Sequence, residues 1–206
     1  MKTYITITLC ILASFAIFSC NNDDNASDDG DNMLPSIYGN FEVQADNSVQ
    51  LNGSITASSP LDLTNLLNDH PNVDKIVIQN IEAQQLAEST VETAAIIHAN
   101  EINTHLAEGV LVSRGSLDFF LAGKQRTKAE SAQIGVGAWR DADGNVATDF
   151  EFGDSAHTPY LNYYVDIGIL FSDASNFYYF YIQTAGPDDV FILNDEQIEL
   201  FELLTE

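Results

Sequence analysis

The chain has 206 residues, 45% of them apolar, and a formal net charge of −24. That length suits one domain after removal of a leader, burying roughly 70% of its unfolded surface with no need of disulfides. The charge excludes a nucleic-acid partner, since phosphates would be repelled and no basic stripe is present to release counterions, and it resists unassisted docking on anionic lipid.

The first element is a targeting segment, residues 1–19. Lys2 gives a positive start, and the run "ITITLCILASFAIF" is continuously apolar. It closes at "IFSC", Ile17 to Cys20, which resembles the lipobox of bacterial lipoproteins: an aliphatic residue three before the cysteine and a small one directly before it. The other reading is an uncleaved anchor, because the run nears the ~17-residue lower limit for spanning a bilayer. The resemblance implies lipid on Cys20, export, and residence at the outer membrane on its periplasmic or cell-surface face. Cys10 leaves with the leader, so the mature domain has no thiol for a disulfide, a cysteine nucleophile or a thiolate metal site. Residues 20–35 include "NNDDNASDDGDN", an acidic tether with almost no apolar content. Such tracts resemble the surface-export signals of some lipoproteins; a plain solvated spacer is equally open. Either way, acyl chains would hold a soluble domain, residues 36–206, at a membrane.

No internal repeat is present. "FEVQ" and "SVQLNGSI", separated by "DN", alternate as a strand pair. "SPLDLTNLLNDHP" predicts a short helix with Ser59 as cap, Pro60 at its first position and Pro71 beyond its end. "VDKIVIQNI" is a buried strand. "LAESTVETAAIIHAN" places Leu86, Val91, Ala94, Ala95 and Ile97 on one helical face. "INTHLAEGVLV" is a strand, "LDFFLAG" a helix with Gly123 as its C-terminal cap, and "AQIGVGAW" a strand. This alternation implies a mostly parallel sheet with right-handed βα crossovers. After the turn "RDADGNVATD" the remainder reads as helical: "PYLNYYVDIG", "SNFYYFYIQTA" and "NDEQIELFELL", the last with Asn194 and Gln197 at capping-box spacing. The aromatics from Tyr160 to Tyr181 fit packing on a sheet, or else a stacking platform for glycan.

The order "NGSI … LLNDHPNVDKIVIQNI … THLAEGVLVSRGSLDFFLAGKQRTKAESAQIGVGAW", followed by the aromatic tail "YYVDIG … FYYF … FILNDEQI", resembles the fold of the Clp protease proteolytic subunit and the crotonases. It is most similar to predicted periplasmic or exported Clp-like serine proteases, over Gly53 to Leu204. The resemblance implies an α/β fold with a helical C-terminal region, self-association through helical tails, and a protein or peptide ligand. It also implies three catalytic addresses. A glycine turn after the central strand should give amides to an oxyanion, a serine should open the next helix, and a histidine should end the following strand as base. The first address reads "EAQQLAE", Glu82 to Glu88, with no glycine. Counting back from Ala122–Gly123 places the second at Arg114, with Ser113 and Ser116 out of register by one and two residues. The third, the fourth place of "IGVGAW", is Gly137.

A serine without a base is a poor nucleophile; general-base catalysis is worth about 10²–10⁴-fold, and an oxyanion donor a further ~10²–10³. The expectation is a pseudoenzyme acting by binding or assembly. A residual hydrolase using Ser113 or Ser116 with a displaced base, His157, is the alternative, and a structural or glycan-binding lipoprotein a third. His70 and His157 read as loop residues, His98 as a helix C-terminal residue and His105 as structural. Arg114 would point to solvent or pair with an acid such as Glu82. "DADGN", Asp141 to Asn145, lacks the late glutamate of a calcium loop, and no paired histidines or nucleotide glycine motif appears. No metal or cofactor is therefore expected.

Overall fold

The computed structural model describes residues 36–205. The leader, Cys20 and the acidic tether lie outside them. Six strands form the main sheet: β1 (Ile37–Tyr38), β2 (Phe41–Val43), β3 (Ser48–Ser54), β4 (Lys75–Glu82), β5 (Asn103–Leu106) and β7 (Arg126–Lys128), in the order β1-β2-β3-β4-β5-β7. The first three pair antiparallel as hairpins, and β3, β4, β5 and β7 run parallel. A second sheet holds β6 (Leu111–Val112), β8 (Gln133–Val136) and β9 (Phe191–Ile192), with β6 parallel and β9 antiparallel to β8.

Helices cross between the strands because each parallel pair needs a covered return path. They are α1 (Ser59–Asp69), α2 (Glu88–Ala99) and α3 (Gly115–Leu121), followed by α4 (Thr158–Asp166), α5 (Phe171–Thr184) and α6 (Asp195–Leu200). Helix α3 is central, with all seven residues buried. Val49, Leu51, Ile76, Ile78 and Leu106 from the main sheet join Leu117, Phe119 and Phe120 in one core. Among the described residues, no helix is long and apolar enough to cross a membrane.

Several local expectations shift. Helix α1 starts a residue earlier than its sequence suggests: Ser58 is the cap residue, while Ser59 Oγ accepts from the Thr56 amide at 2.9 Å. The buried stripe of α2 is Thr90, Thr93, Ala94 and Ile97; Ala95 is exposed, and Leu86 precedes the helix with φ +52°. The stretch "INTHLAEGVLV" is two strands in two sheets, since the chain turns at Gly109 (φ +74°). Gly123 is not a left-handed cap; Ala122 caps α3, and a Cβ on Gly123 would collide with the Thr104 hydroxyl, so the glycine serves close helix–strand approach. Strands β7 and β9 carry no alternation that the sequence could reveal, and β9 interrupts the tail read as wholly helical. The capping box on α6 is formed, with Asn194 Oδ1 accepting from Gln197 N at 2.9 Å and Gln197 Oε1 from Asn194 N at 3.0 Å.

The aromatic tail is core. Tyr163, Tyr164, Phe177, Tyr178 and Tyr181 are buried, and Trp139 stacks on Tyr160 with ring centres 5.0 Å apart. These five rings are packing and present no open stacking face, whereas Tyr160, Tyr179 and Phe180 are half-buried and Phe152 and Phe171 are exposed.

Candidate cleft at the start of helix α3

The parallel strand β6 ends at Val112, and the chain must turn sharply to enter α3. Arg114 makes that turn with φ +52° and ψ −129°. Non-glycine residues rarely hold such angles; the strain is on the order of 1–3 kcal/mol and persists only where surroundings enforce it. Here the enforcement is visible. The Arg114 carbonyl accepts from Asp118 N at 2.9 Å, and its Nη2 donates to Pro187 O at 2.5 Å and Asp189 O at 2.9 Å. The guanidinium therefore neither reaches solvent freely nor pairs with Glu82, the two roles the sequence allowed. Glu82 Oε2 instead accepts from Ser54 Oγ at 3.0 Å.

Behind Arg114, the next residue must be small. A Cβ on Gly115 would collide with Ala83 O and stand 2.5 Å from Gln85 N and 2.6 Å from Gln84 C. Residues 83–85, the address of an oxyanion loop, thus lie backbone-to-backbone against the helix start. In front of Arg114 stands Gly137. A Cβ there would lie 3.4 Å from Arg114 Nη2 and 3.3 Å from Gly186 O, and would strike Asp189 O. The fold brings the three sequence-derived addresses together, and the segment 185–189 fills the space in front of them. That strap is held by Ala138 N donating to Ala185 O at 2.8 Å, by Arg114, and by an exposed ion pair between Arg140 and Asp188 at 2.8 Å.

Gly137→Ala should therefore displace the strap rather than fill a void. Faster amide exchange at 186–189, with the remainder of the sheet unchanged, is the expected result.

The fallback residues are not assembled. Ser116 Oγ accepts from Ser113 N at 2.9 Å and donates to Ser113 O at 2.7 Å, a closed local pair. His157 is not in an open loop: it ends the 3-10 turn Ser155–His157 and is 1% exposed, ringed by Trp139, Phe150, Tyr178 and Tyr179. Its Nδ1 lies 2.8 Å from Tyr178 Oη, which also accepts from Trp139 Nε1 at 2.9 Å. The bonds of Ser116 go to the Ser113 backbone, and His157 Nδ1 is engaged with Tyr178, so the pair Ser113 or Ser116 with His157 is not formed among the described residues. His105 Nδ1 meets Thr127 Oγ1 at 2.8 Å between β5 and β7, and burial pulls the ring's pKa down. His70 caps α1 and meets the Tyr38 ring edge-on, and His98 closes α2 beside Gly168. In "DADGN", Asp141 spends its carboxylate on its own turn, accepting from Asp143 N, Asn145 N and Asn145 Nδ2; the Asn145 bond chiefly lowers its pKa.

One group under the cleft escaped the sequence reading. Asp118, 2% exposed, sits in the first turn of α3 with Tyr164 Oη donating to its Oδ1 at 2.8 Å. The available signal was an acid inside the apolar run "LDFFLA".

No protein-family model matches this sequence, and no curated protein matches it. Solved structures do. The chain is similar to ClpP1 from Listeria monocytogenes, at 15% identity over 78% of this chain and 89% of that one, with a TM-score of 0.48. It is similar to a 1510-N membrane-bound stomatin-specific protease at 14% identity, over 76% and 75% of the two chains, with a TM-score of 0.50. It is also similar to a putative enoyl-CoA hydratase from Streptomyces avermitilis, at 14% identity over 82% and 67%, with a TM-score of 0.50. Together with the mostly parallel sheet and the buried central helix, the two likenesses with a TM-score of 0.50 give the chain the Clp protease/crotonase-like α/β fold.

Proposed function

We propose that this protein is an exported, lipid-anchored member of the Clp-like group whose cleft no longer hydrolyses peptides and which acts by binding a protein or peptide or by self-assembly. The observation that carries the reading is Arg114. Where such a fold would present a nucleophile, a strained arginine lies against Gly137, the position of the base, and is bonded to the carbonyls of residues 187 and 189. A guanidinium stays protonated at any physiological pH and has no lone pair to attack a carbonyl. The backbone at 83–85 is packed on Gly115 rather than facing an open site, and the Ser116 hydroxyl is engaged with the backbone N–H and carbonyl of Ser113. Anchoring at the outer membrane, on either face, rests on Cys20 in "IFSC" and the acidic tether behind it. Helical tails like those of its structural relatives make a homo-oligomer the expected state.

The test treats the full-length protein with a fluorophosphonate probe and reads adduct mass. No labelling is expected. Stoichiometric adduct on Ser113 or Ser116, abolished by the corresponding alanine, would establish a serine hydrolase instead. Metabolic labelling with palmitate, compared with Cys20→Ser, tests the anchor separately.

A further inference from the structure

We propose that Asp118 is a neutral carboxylic acid in the folded chain, and that its proton is a pH-operated lock on the seam between α3, α4 and residues 83–86. The geometry of the cluster points there. Oδ1 accepts from Tyr164 Oη at 2.8 Å, and the Asp118 carbonyl accepts from Tyr163 Oη at 2.6 Å. The other carboxyl oxygen, Oδ2, is buried with no hydrogen-bond partner. The Gln85 side chain stands beside the carboxyl and donates Nε2 to Tyr181 Oη at 3.2 Å, yet its own Oε1 is also buried and unpartnered. Two orphaned acceptors in one cluster call for a donor, because a buried polar group left without a partner keeps its full desolvation cost. A proton on Oδ2 supplies it. The Gln85 amide, whose orientation follows its hydrogen bonds, then turns its oxygen to receive both that proton and the Tyr181 hydroxyl.

No charge replaces the proton. Among the described residues Asp118 forms no ion pair. The titratable groups that feel it are Tyr160, Tyr163 and Tyr164 from α4 and Tyr181 from α5, all held well above the ordinary tyrosine range, by burial first and then by Asp118. Arg114 acts on Tyr181 but is bonded to the strap. Helix α2 and strands β4, β5 and β6 bring no titratable group that acts on the carboxyl. Burial accordingly pushes Asp118 up to about 7, against partial opposition from Tyr164 and then Gln85.

The consequence has a definite sign. Below the ordinary aspartate value of 3.8 both folded and unfolded chains hold the proton; between 3.8 and about 7 only the folded chain does. Each unit of pH rise through that window weakens folding about tenfold, and above it the charged group favours an open, hydrated seam. The lock holds whether or not the cleft is catalytic.

The experiment compares wild type with Asp118→Asn, which keeps shape, hydrogen-bond capacity and neutrality. Between pH 5.5 and 8.5 the wild-type Tm should fall relative to that of the variant. Amide exchange at 83–88 and 158–166 should rise about tenfold per pH unit faster than in Asp118→Asn between pH 5.5 and about 7, and in parallel with it above that value. If the variant does not fold, the infrared band of a protonated carboxylic acid in wild type decides the matter: it should be present at pH 5.5 and lost by pH 8.5. Parallel pH profiles in the two proteins, or no such band at pH 5.5, would overturn the proposal.

Discussion

Gly115→Ala should lower the Tm by about 10 °C, corresponding to about 3 kcal/mol for a domain of this size. The added methyl meets only backbone: the Ala83 carbonyl, Gln84 C and Gln85 N. No side chain can rotate away, so either α3 or residues 83–86 must shift. Helix α3 is buried along its whole length, which leaves the loop as the part that gives. Amide exchange at residues 83–87 should therefore accelerate more than exchange in α3. The informative control is Gly109→Ala. A Cβ there meets nothing, although its φ of +74° disfavours any side chain; the cost should be about 1 kcal/mol. Equal Tm losses in the two variants would show that the contact at Gly115 costs no more than a left-handed backbone does at Gly109, and the account of a loop pinned on the helix start would fail.

Arg126→Met should cost about 3 kcal/mol and release the end of the chain. Arg126 is half-buried and burial lowers its pKa, yet the partners of its guanidinium are carbonyls: Leu203 O at 2.9 Å, Gly123 O at 3.1 Å and Glu202 O at 2.9 Å. Hydrogen bonds from a charged donor are worth about 1.5–3 kcal/mol each, and carbonyls near the surface recover part of that from water. Methionine keeps the aliphatic stem, so the loss reports the bonds rather than the packing. The backbone of Arg126 also exchanges bonds with Thr205, through N to Oγ1 at 2.8 Å and Thr205 N to O at 3.0 Å. Limited carboxypeptidase digestion should remove the last residues of Arg126→Met much faster than those of wild type. Arg126→Lys should fall between, because an ammonium cannot span three carbonyls from one plane. Undiminished protection of the C-terminus in the methionine variant would refute the clamp.

The sequence was legible where a segment's own periodicity decides its state. The β-branched run "KIVIQNI" could be little but a buried strand, and β4 is the middle of the main sheet. The Asn194–Gln197 capping box forms from residues three apart. Short strands without alternation, such as β7 and β9, exist only because a partner strand lies alongside, so nothing local announced them.

At the cleft the division is sharper. The residue types at 114 and 137, the absence of a cysteine beyond position 20 and the charge of −24 are readable from the chain alone. Chemistry that needs a hydroxyl or an imidazole at those two places depends on covalent identity, which no folding alters. Tertiary structure alone decided where Arg114 points, that residues 185–189 close over Gly137, and that His157 is sealed among aromatic rings. It also decided that Asp118 lies under three tyrosines, far from water. Burial and partnership join residues dozens of positions apart, so their energies belong to the assembled core and have no counterpart in any short stretch of sequence.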